Sequence, residues 1–318
     1  MMFRKWLTIE FAIIFLAFAS TLITSCKEKL TEQKDELVVA NDMDLVKIPK
    51  KELSKDFKAY WYAGSAEITS YDLEQARYGE LRKGKAVKIF VTEPFLKDKQ
   101  VKADGSNPDN IPVLKLNATK NYLTGIYPYS IMTSTFYPVH DNTHAIKVAF
   151  SSQEWCGQVY AQLNNREKFQ ISSHSYFETE ADEDIVLEKL DLEDEVWNRI
   201  RIDPSTLPAG DFTMIPSLEY IRLTHKDLKG YRANGNLVTK DGMSSYEINY
   251  PELGRTLTIN FTETFPFSIE NWTDSFKSGY GASAQTLTST ATKIKRLKTP
   301  YWRQNGNKDL SLRDSLGL

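Results

Sequence analysis

The sequence is short of cysteine and of excess charge, and each shortage narrows what the protein can be. Its 318 residues include two cysteines, Cys26 and Cys156, so no more than one disulfide could form. Forty basic residues against 42 acidic ones give a net charge of −2, and the longest basic block is Lys293-Ile-Lys295-Arg296. Proteins dedicated to nucleic acids carry a clear basic excess, so we expect no nucleic-acid partner.

Short catalytic and cofactor motifs are also missing. The chain has no Gly-x-Ser-x-Gly elbow, no Walker loop and no dinucleotide fingerprint. We therefore expect no cofactor, and a non-enzymatic role is the leading interpretation.

The N-terminal segment is organised for export. Arg4 and Lys5 precede an uncharged apolar run, Phe11 to Ile23. At about 1.5 Å per residue this run spans roughly 20 Å, short of the roughly 30 Å of a hydrocarbon core. A basic start and a short apolar region predict a secretory signal at residues 1–25 rather than a membrane-spanning helix.

The end of this signal, Ile23-Thr24-Ser25-Cys26, resembles the lipobox of bacterial lipoprotein precursors. The resemblance implies cleavage before Cys26, acylation of that residue and anchoring to a membrane. Acylation would leave Cys156 as the other thiol, without a partner for an intramolecular disulfide. The alternative is a plain signal peptide whose cysteine falls there by chance.

Residues 26–55 are rich in lysine, glutamate and aspartate and are expected to form a tether. Lys27-Glu28-Lys29 partly resembles the surface-export signals of Bacteroidota lipoproteins. We expect a lipid-anchored location in the bacterial envelope, most simply the outer membrane. The periplasmic face and the cell surface both remain open.

Residues 56–300 read as an antiparallel β domain, because apolar residues alternate over short runs bounded by turn residues. The expected fold class is all-β and mainly antiparallel, as a barrel, half-barrel or sandwich with one short helix. Signals used in this assignment are strand runs at Ala66–Leu73, Ala86–Val91 and Tyr220–Leu223, a connection at Gly79–Gly84, and turns at Asn234-Gly235 and Asp241-Gly242.

The one predicted helix covers residues 192–202, where Leu192, Val196 and Ile200 share one face. Acidic residues lie at its start and arginines near its end, which suits the helix dipole. It could join two halves of the β domain. Residues 301–318 are expected to form a C-terminal tail.

Glu154, Cys156 and His174 are the catalytic candidates that the sequence offers. Cys156 could be a nucleophile if a base activated it, and Glu154 could act as an acid in hydrolysis. A lone cysteine between strands is more typical of a small buried hydrophobe.

Metal-ligand candidates are Glu178, Glu180 and Asp182, whose carboxylates could hold Ca²⁺. The run lacks the spacing and glycine of a calcium loop, so solvated surface is the alternative. His140 and His144 are four residues apart in a predicted loop, without a glutamate to complete a zinc pattern.

Aromatic residues make up 12% of the chain and supply the ligand-binding candidates. Tyr60, Trp61, Tyr127, Tyr129 and Trp155 could line an apolar cavity for a lipid-like ligand. Ordinary packing of half-buried sheets is the alternative explanation.

Four stretches of the chain form a recognisable set: Trp61-Tyr-Ala-Gly-Ser-Ala-Glu-Ile68, Gln75-Ala-Arg-Tyr-Gly-Glu80, Tyr127-Pro-Tyr-Ser130 and Gln153-Glu-Trp-Cys-Gly157. Together they resemble an uncharacterised flavobacterial lipoprotein family. Members are often catalogued as septum formation inhibitor Maf, although true Maf proteins are cytoplasmic pyrophosphatases with a Ser-x-Ser-Pro-Arg-Arg motif that this sequence lacks. The resemblance implies an envelope location and an all-β fold, and it carries no catalytic residue.

The leading functional hypothesis is a lipid-anchored envelope protein that binds a hydrophobic or envelope-derived ligand, or an envelope protein partner. A hydrolase of envelope glycans or lipids and a structural assembly factor of the outer membrane are the alternatives. The membrane, reached through acylated Cys26, is the one partner that the sequence itself suggests.

Overall fold

One antiparallel sheet dominates the protein, as the alternating sequence pattern predicts. A computed structural model describes residues 51–105, 107–141 and 144–318. The described residues belong to one compact unit, Ile48–Leu318. The predicted signal, Cys26 and most of the tether lie outside them.

The strands in the described residues follow one another along the chain with few interruptions. They are β1 (Ala66–Arg77), β2 (Glu80–Leu96), β3 (Val101–Lys102), β4 (Ile111–Thr124), β5 (Tyr127–Pro138), β6 (Lys147–Glu154), β7 (Gly157–Asn165), β8 (Phe169–Ser175), β9 (Asp182–Leu187), β10 (Asp191–Leu192), β11 (Gly210–Ile215), β12 (Tyr231–Lys240), β13 (Met243–Tyr250), β14 (Arg255–Thr262), β15 (Ile269–Ser278) and β16 (Gln285–Thr299).

The helices in the same residues are short. They are α1 (Lys55–Trp61), α2 (Glu193–Ile202), α3 (Leu218–Thr224) and α4 (Ser311–Ser315), with 3₁₀ turns at Pro204–Thr206, Pro251–Leu253, Gly281–Ser283, Tyr301–Arg303 and Asn307–Asp309. None of these helices has the length and apolar character needed to cross a membrane.

The sheet is a meander in which the first and the last long strand lie side by side. Neighbouring strands follow the order β10-β11-β12-β13-β14-β15-β16-β1-β2-β4-β5-β6-β7-β8-β9, and β3 pairs with β2. The first and last long strands, β1 and β16, are antiparallel neighbours, so the strand groups before and after α2 form one continuous sheet. The all-β, mainly antiparallel prediction is confirmed.

Helix α2 packs against strands β4 and β5 of this sheet. Val196 and Ile200 are buried, and so are the acidic residues Glu193, Asp194 and Glu195 at its start. The sequence suggested that these acids only complement the helix dipole. Their burial instead requires partners, because an unpaired buried carboxylate is strongly unfavourable.

Some local predictions are wrong, and close backbone contact explains two of them. Asn234-Gly235 is not a turn but part of β12, where a Cβ at Gly235 would collide with Pro208 O. Gly84 lies within β2, where a Cβ would come 2.7 Å from the Tyr122 Cβ. These glycines let neighbouring segments approach, and they do not reverse the chain.

Of two further local predictions, one turn is confirmed and one strand is wrong. Asp241-Gly242 does form the two-residue β12–β13 turn, with φ of 53° and 78°. Tyr220–Leu223 is not a strand but part of α3, which Ser217 caps because the serine hydroxyl accepts a hydrogen bond from Tyr220 N.

The ends of the predicted β domain also make contacts. Leu53, in the predicted tether, is buried, and Ser54 caps α1 by accepting a hydrogen bond from Phe57 N. In the predicted tail, Leu316 is buried and its carbonyl accepts a hydrogen bond from Ser70 Oγ on β1.

Candidate functional site

Three of the five predicted ligand-binding aromatics lie together at one end of the sheet. The Tyr127 ring centroid lies 6.0 Å from that of Tyr129 and 6.4 Å from that of Trp155. They come from the β4–β5 and β6–β7 hairpins, whose turns lie at the same ends of the strands in an antiparallel meander. Trp155 is 69% exposed, which is unusual for so large an apolar side chain.

The ring contacts continue beyond these residues and return to the β6–β7 turn. Tyr129 leads through Tyr78, Tyr280, His225 and Phe177 to Tyr176, with successive centroid distances of 6.5, 6.5, 6.3, 6.0 and 4.2 Å. The Tyr176 ring then lies directly over Gly157, two residues from Trp155. We call this set the aromatic rim: Tyr78, Tyr127, Tyr129, Trp155, Tyr176, Phe177, His225 and Tyr280.

The rim is anchored to α3 by charged side chains. Glu180 accepts hydrogen bonds from Arg222, at 3.0 Å, and bonds His225 Nδ1 at 2.6 Å. Burial alone would raise the pKa of Glu180, but the hydrogen bonds with His225 and Ser175 and the charge of Arg222 lower it. The Arg222 guanidinium also lies 4.4 Å from the centroid of the Phe177 ring.

A buried arginine holds the opposite side of the rim. Arg77 donates to the Leu223 carbonyl at the end of α3 and to Tyr129 Oη, at 3.1 Å. Its guanidinium lies 4.1 Å from the Tyr78 ring centroid and 5.3 Å from that of Tyr129. Cation–π contacts of this kind are stronger when water is excluded.

Two cavities open on either side of α3, next to the rim. One of about 280 Å³ is lined by Tyr78, Tyr280, Tyr220, Leu223 and Phe276, with Lys226 and Lys277 at its border. The other, of about 410 Å³, has an apolar floor and a charged border. Its floor is formed by Phe150, Val159, Ala161, Ile185, Leu218, Ile221 and Leu228, and its border by Glu180, Glu183, Arg222, His225, Lys226 and Asp227.

Tyr60 and Trp61 do not belong to this site. Both lie on α1, where Trp61 is 1% exposed and packs against Phe90, with ring centroids 6.1 Å apart. Tyr60 donates a hydrogen bond to the Glu67 carboxylate, and burial, with the charge of Glu67, raises its pKa to about 12. Core packing accounts for these two residues.

The three catalytic candidates are all at the surface near the rim. Cys156 is exposed in the β6–β7 turn, which corrects the expectation of a small buried hydrophobe. The Glu154 carboxylate accepts a hydrogen bond from Cys156 N at 2.7 Å. A hydrogen bond with Glu154 raises the pKa of the Cys156 thiol, which opposes thiolate formation. His174 Nδ1 lies 3.4 Å from the Asp182 carboxylate.

The acidic metal candidates are dispersed. Glu178 and Asp182 are exposed, whereas Glu180 is committed to the α3 contacts. In the described residues, the set with ligand atoms close enough for one ion is His144, Asp191 and Glu195, within 4.8 Å of one another. Arg199 Nη1 lies 2.7 Å from the Asp191 carboxylate and 3.5 Å from that of Glu195, so a guanidinium already pairs with both carboxylates.

A third, interior chamber of about 70 Å³ lies under α3 and beside α2, with Lys88 on its wall. Lys88 is 5% exposed, and its ammonium lies 3.4 Å from the Trp197 ring centroid and 4.7 Å from that of Trp272. Burial, with the charge of Lys120, lowers the pKa of Lys88 to about 7.

The remaining charges of the chamber are mostly paired. Arg255 donates to Glu193, at 2.7 and 2.8 Å, and to Asp274, at 2.8 and 2.9 Å. Lys120 Nζ lies 2.7 Å from the Glu219 carboxylate.

Asp194 is the exception among the carboxylates of the chamber. It accepts a hydrogen bond from Leu218 N at 3.0 Å, and burial raises its pKa to about 7.

Sequence reasoning missed the chamber, although one signal pointed to it. Ala86, Lys88 and Phe90 alternate on the buried face of β2, so a lysine occupies a position where the strand period demands an apolar residue. Tyr176, Tyr280 and Arg77 carried no comparable local signal, because their place in the site depends on which turns come together at the ends of the strands.

The aromatic rim, the cavities beside α3 and the chamber are therefore the features from which a function has to be argued. Comparisons of this chain with protein-family models, with curated proteins and with solved structures found no match.

Proposed function

We propose that this protein is a lipid-anchored binding protein of the bacterial envelope that takes up an amphiphile with an acyl chain at the aromatic rim. The anchor would be the acylated Cys26 of the lipoprotein-like leader, in keeping with the flavobacterial lipoprotein resemblance. The observation that carries the proposal is the chain of aromatic ring contacts that forms the rim beside α3.

Exposure of the rim supports a binding role over plain packing. Trp155, Tyr176 and Tyr280 are 69%, 51% and 59% exposed, and Ile126, in the neighbouring turn, is 82% exposed. Large apolar side chains exposed side by side mark interaction sites on soluble domains. Tryptophan and tyrosine suit an amphiphile because each combines an apolar ring with a polar group.

The cavities beside the rim support the ligand class. The larger has room for part of an acyl chain against its apolar floor, and its border carries both signs of charge. An apolar floor with a few polar groups at the edge is the usual composition of a small-molecule site. A hydrolase would need an activated group here, and the raised pKa of Cys156 does not favour one.

Native mass spectrometry with lipid extraction tests the proposal on protein purified from its own envelope. We expect a stoichiometric amphiphile on the wild-type protein. The double variant Trp155→Ser/Tyr127→Ser should lose most of it, because both rings lie on the rim.

Trp302→Ser is the matched control. Trp302 is 45% exposed but belongs to a 3₁₀ turn outside the rim, so this variant should keep the ligand. Wild-type protein without any ligand, or equal loading of the rim variant, would contradict the proposal. Capture of a protein partner instead of a lipid would favour the assembly-factor alternative.

A further inference from the structure

The interior chamber holds a buried cation that no acid neutralises at close range. Within the described residues, Lys88 Nζ makes no hydrogen bond and no ion pair, and its close neighbours are the rings of Trp197 and Trp272. Placing an ammonium in the interior without a hydrogen-bonding partner is strongly unfavourable. The Lys88 ammonium borders a cavity, so an anionic ligand in that cavity could supply the missing partner.

The other cations of the chamber already have partners. Arg255 is held between Glu193 and Asp274, and Lys120 is paired with Glu219. Among the described residues, Lys88 is therefore the cation of the chamber that has no carboxylate at hydrogen-bonding distance. A single unpaired ammonium matches a singly charged anion better than a phosphate dianion.

We propose that the chamber is a binding site for a small monocarboxylate of about the size of acetate, whose carboxylate pairs with the Lys88 ammonium. The site is separate from the aromatic rim and does not depend on the function proposed for it. Tyr220, Leu223 and Phe276 line both the chamber and the 280 Å³ cavity, and so form the partition between them.

The walls suit both ends of such a ligand. Leu116, Ala118 and Leu257 offer apolar contacts for a methyl group, whereas Thr133 offers a hydroxyl. A volume of about 70 Å³ accommodates a few waters, which a carboxylate with a short tail would replace. The partly exposed pair Lys120 and Glu219 also lines the chamber.

Asp194 complements this arrangement. Burial raises its pKa to about 7, so near neutral pH much of it is protonated and able to donate a hydrogen bond. The indole faces favour the charged form of Lys88, which opposes the effect of burial. A bound carboxylate would also favour the charged form, so binding is accompanied by proton uptake.

The charged groups facing Lys88 come from five further elements: Lys120 on β4, Asp194 and Glu193 on α2, Glu219 on α3, Arg255 on β14 and Asp274 on β15. With the other ions paired, Lys88 and Asp194 are the groups expected to titrate near neutral pH. Both lose protons as the pH rises, so carboxylate affinity should fall between pH 6 and pH 9.

Saturation-transfer NMR with sodium acetate tests the site, with chloride at equal ionic strength as the reference. Lys88→Met removes the charge and keeps the length of the side chain. Lys85→Met is the control, because Lys85 lies on the same strand but is exposed and paired with Asp72. We expect saturable acetate binding to wild type and Lys85→Met, and at least a tenfold weaker affinity for Lys88→Met.

Unsaturable acetate signals, or equal affinity of wild type and Lys88→Met, would overturn the proposal. Circular dichroism melting verifies that each variant is folded. If Lys88→Met does not fold, ¹³C-dimethylation of wild-type lysines provides the second test. One methylated lysine should then titrate near pH 7, and its pKa should rise when acetate is added. A resonance whose pKa does not change with acetate would refute the site.

Discussion

The ion pair between Glu67 and Arg201 gives the most quantitative prediction for this fold. Arg201, on α2, donates to the two carboxylate oxygens of Glu67, on β1, at 2.5 and 2.8 Å. Each side chain is 1% exposed. The guanidinium also lies 5.0 Å from the Trp61 ring centroid and donates to the Pro266 carbonyl at 2.9 Å. The pair joins the interior helix to the centre of the sheet.

We expect Arg201→Met to destabilise the protein by about 3–5 kcal/mol, since it leaves a buried carboxylate without its cation. The pKa of Glu67 leads to a similar magnitude. Burial would raise this pKa, but the charge and hydrogen bonds of Arg201, helped by Tyr60, lower it from 4.5 to about 2. A shift of that size corresponds to roughly 3 kcal/mol.

The sign of the pH dependence follows from the lowered pKa. The folded state holds the Glu67 proton less tightly than the unfolded state, so the stabilisation is fully present above pH 4.5. It is lost as the pH falls from 4.5 towards 2. Arg201→Met should therefore show a weaker loss of stability over this range than wild type.

Urea denaturation followed by circular dichroism, at pH 7 and at steps down to pH 3, measures these effects. The double variant Glu67→Met/Arg201→Met should recover much of the loss, because it removes both charges. Asp72→Asn, in the exposed pair with Lys85, should change stability by less than about 1 kcal/mol. A loss below 1 kcal/mol for Arg201→Met, or a double variant as unstable as the single one, would refute the reasoning.

Three further predictions concern single residues. Cys26→Ala should abolish palmitate labelling of cells, and a variant that labels like wild type would rule out the lipoprotein assignment. Cys156 should react completely with a thiol reagent in the folded protein, and Glu154→Gln should speed the reaction because the carboxylate raises the thiol pKa. Lys88 holds protons less tightly when folded, so wild-type stability should rise from pH 7 towards 10.5, and Lys88→Met should flatten that rise in thermal melts.

Much of the fold could be predicted because sheets with one buried face repeat every two residues. The runs at Ala66–Leu73 and Ala86–Val91 gave β1 and β2, and helical spacing gave α2 almost to the residue. The failures have a common cause. Tyr220–Leu223 has the composition of a strand, yet its serine cap and its packing against β6 make it helical, and such tertiary effects override local preference.

The site was predicted in part. Tyr127, Tyr129 and Trp155 are adjacent because consecutive hairpins of a meander place alternate turns at one edge. Tyr176 and Tyr280 come from turns far apart in the sequence, and no pattern in one chain says that they meet. Tyr60 and Trp61 were misassigned because a buried aromatic pair and a binding pair look alike in sequence.

Photo-crosslinking with a lysophospholipid that carries a diazirine in its acyl chain tests the central claim most directly. The account predicts saturable labelling of peptides from α3, the β6–β7 hairpin and the segment around Tyr176, where the rim and the larger cavity lie. Unlabelled lysophospholipid should compete, and Trp155→Ser/Tyr127→Ser should reduce the labelling. Labelling spread over the outer face of the sheet, insensitive to competitor and to the rim variant, would contradict it.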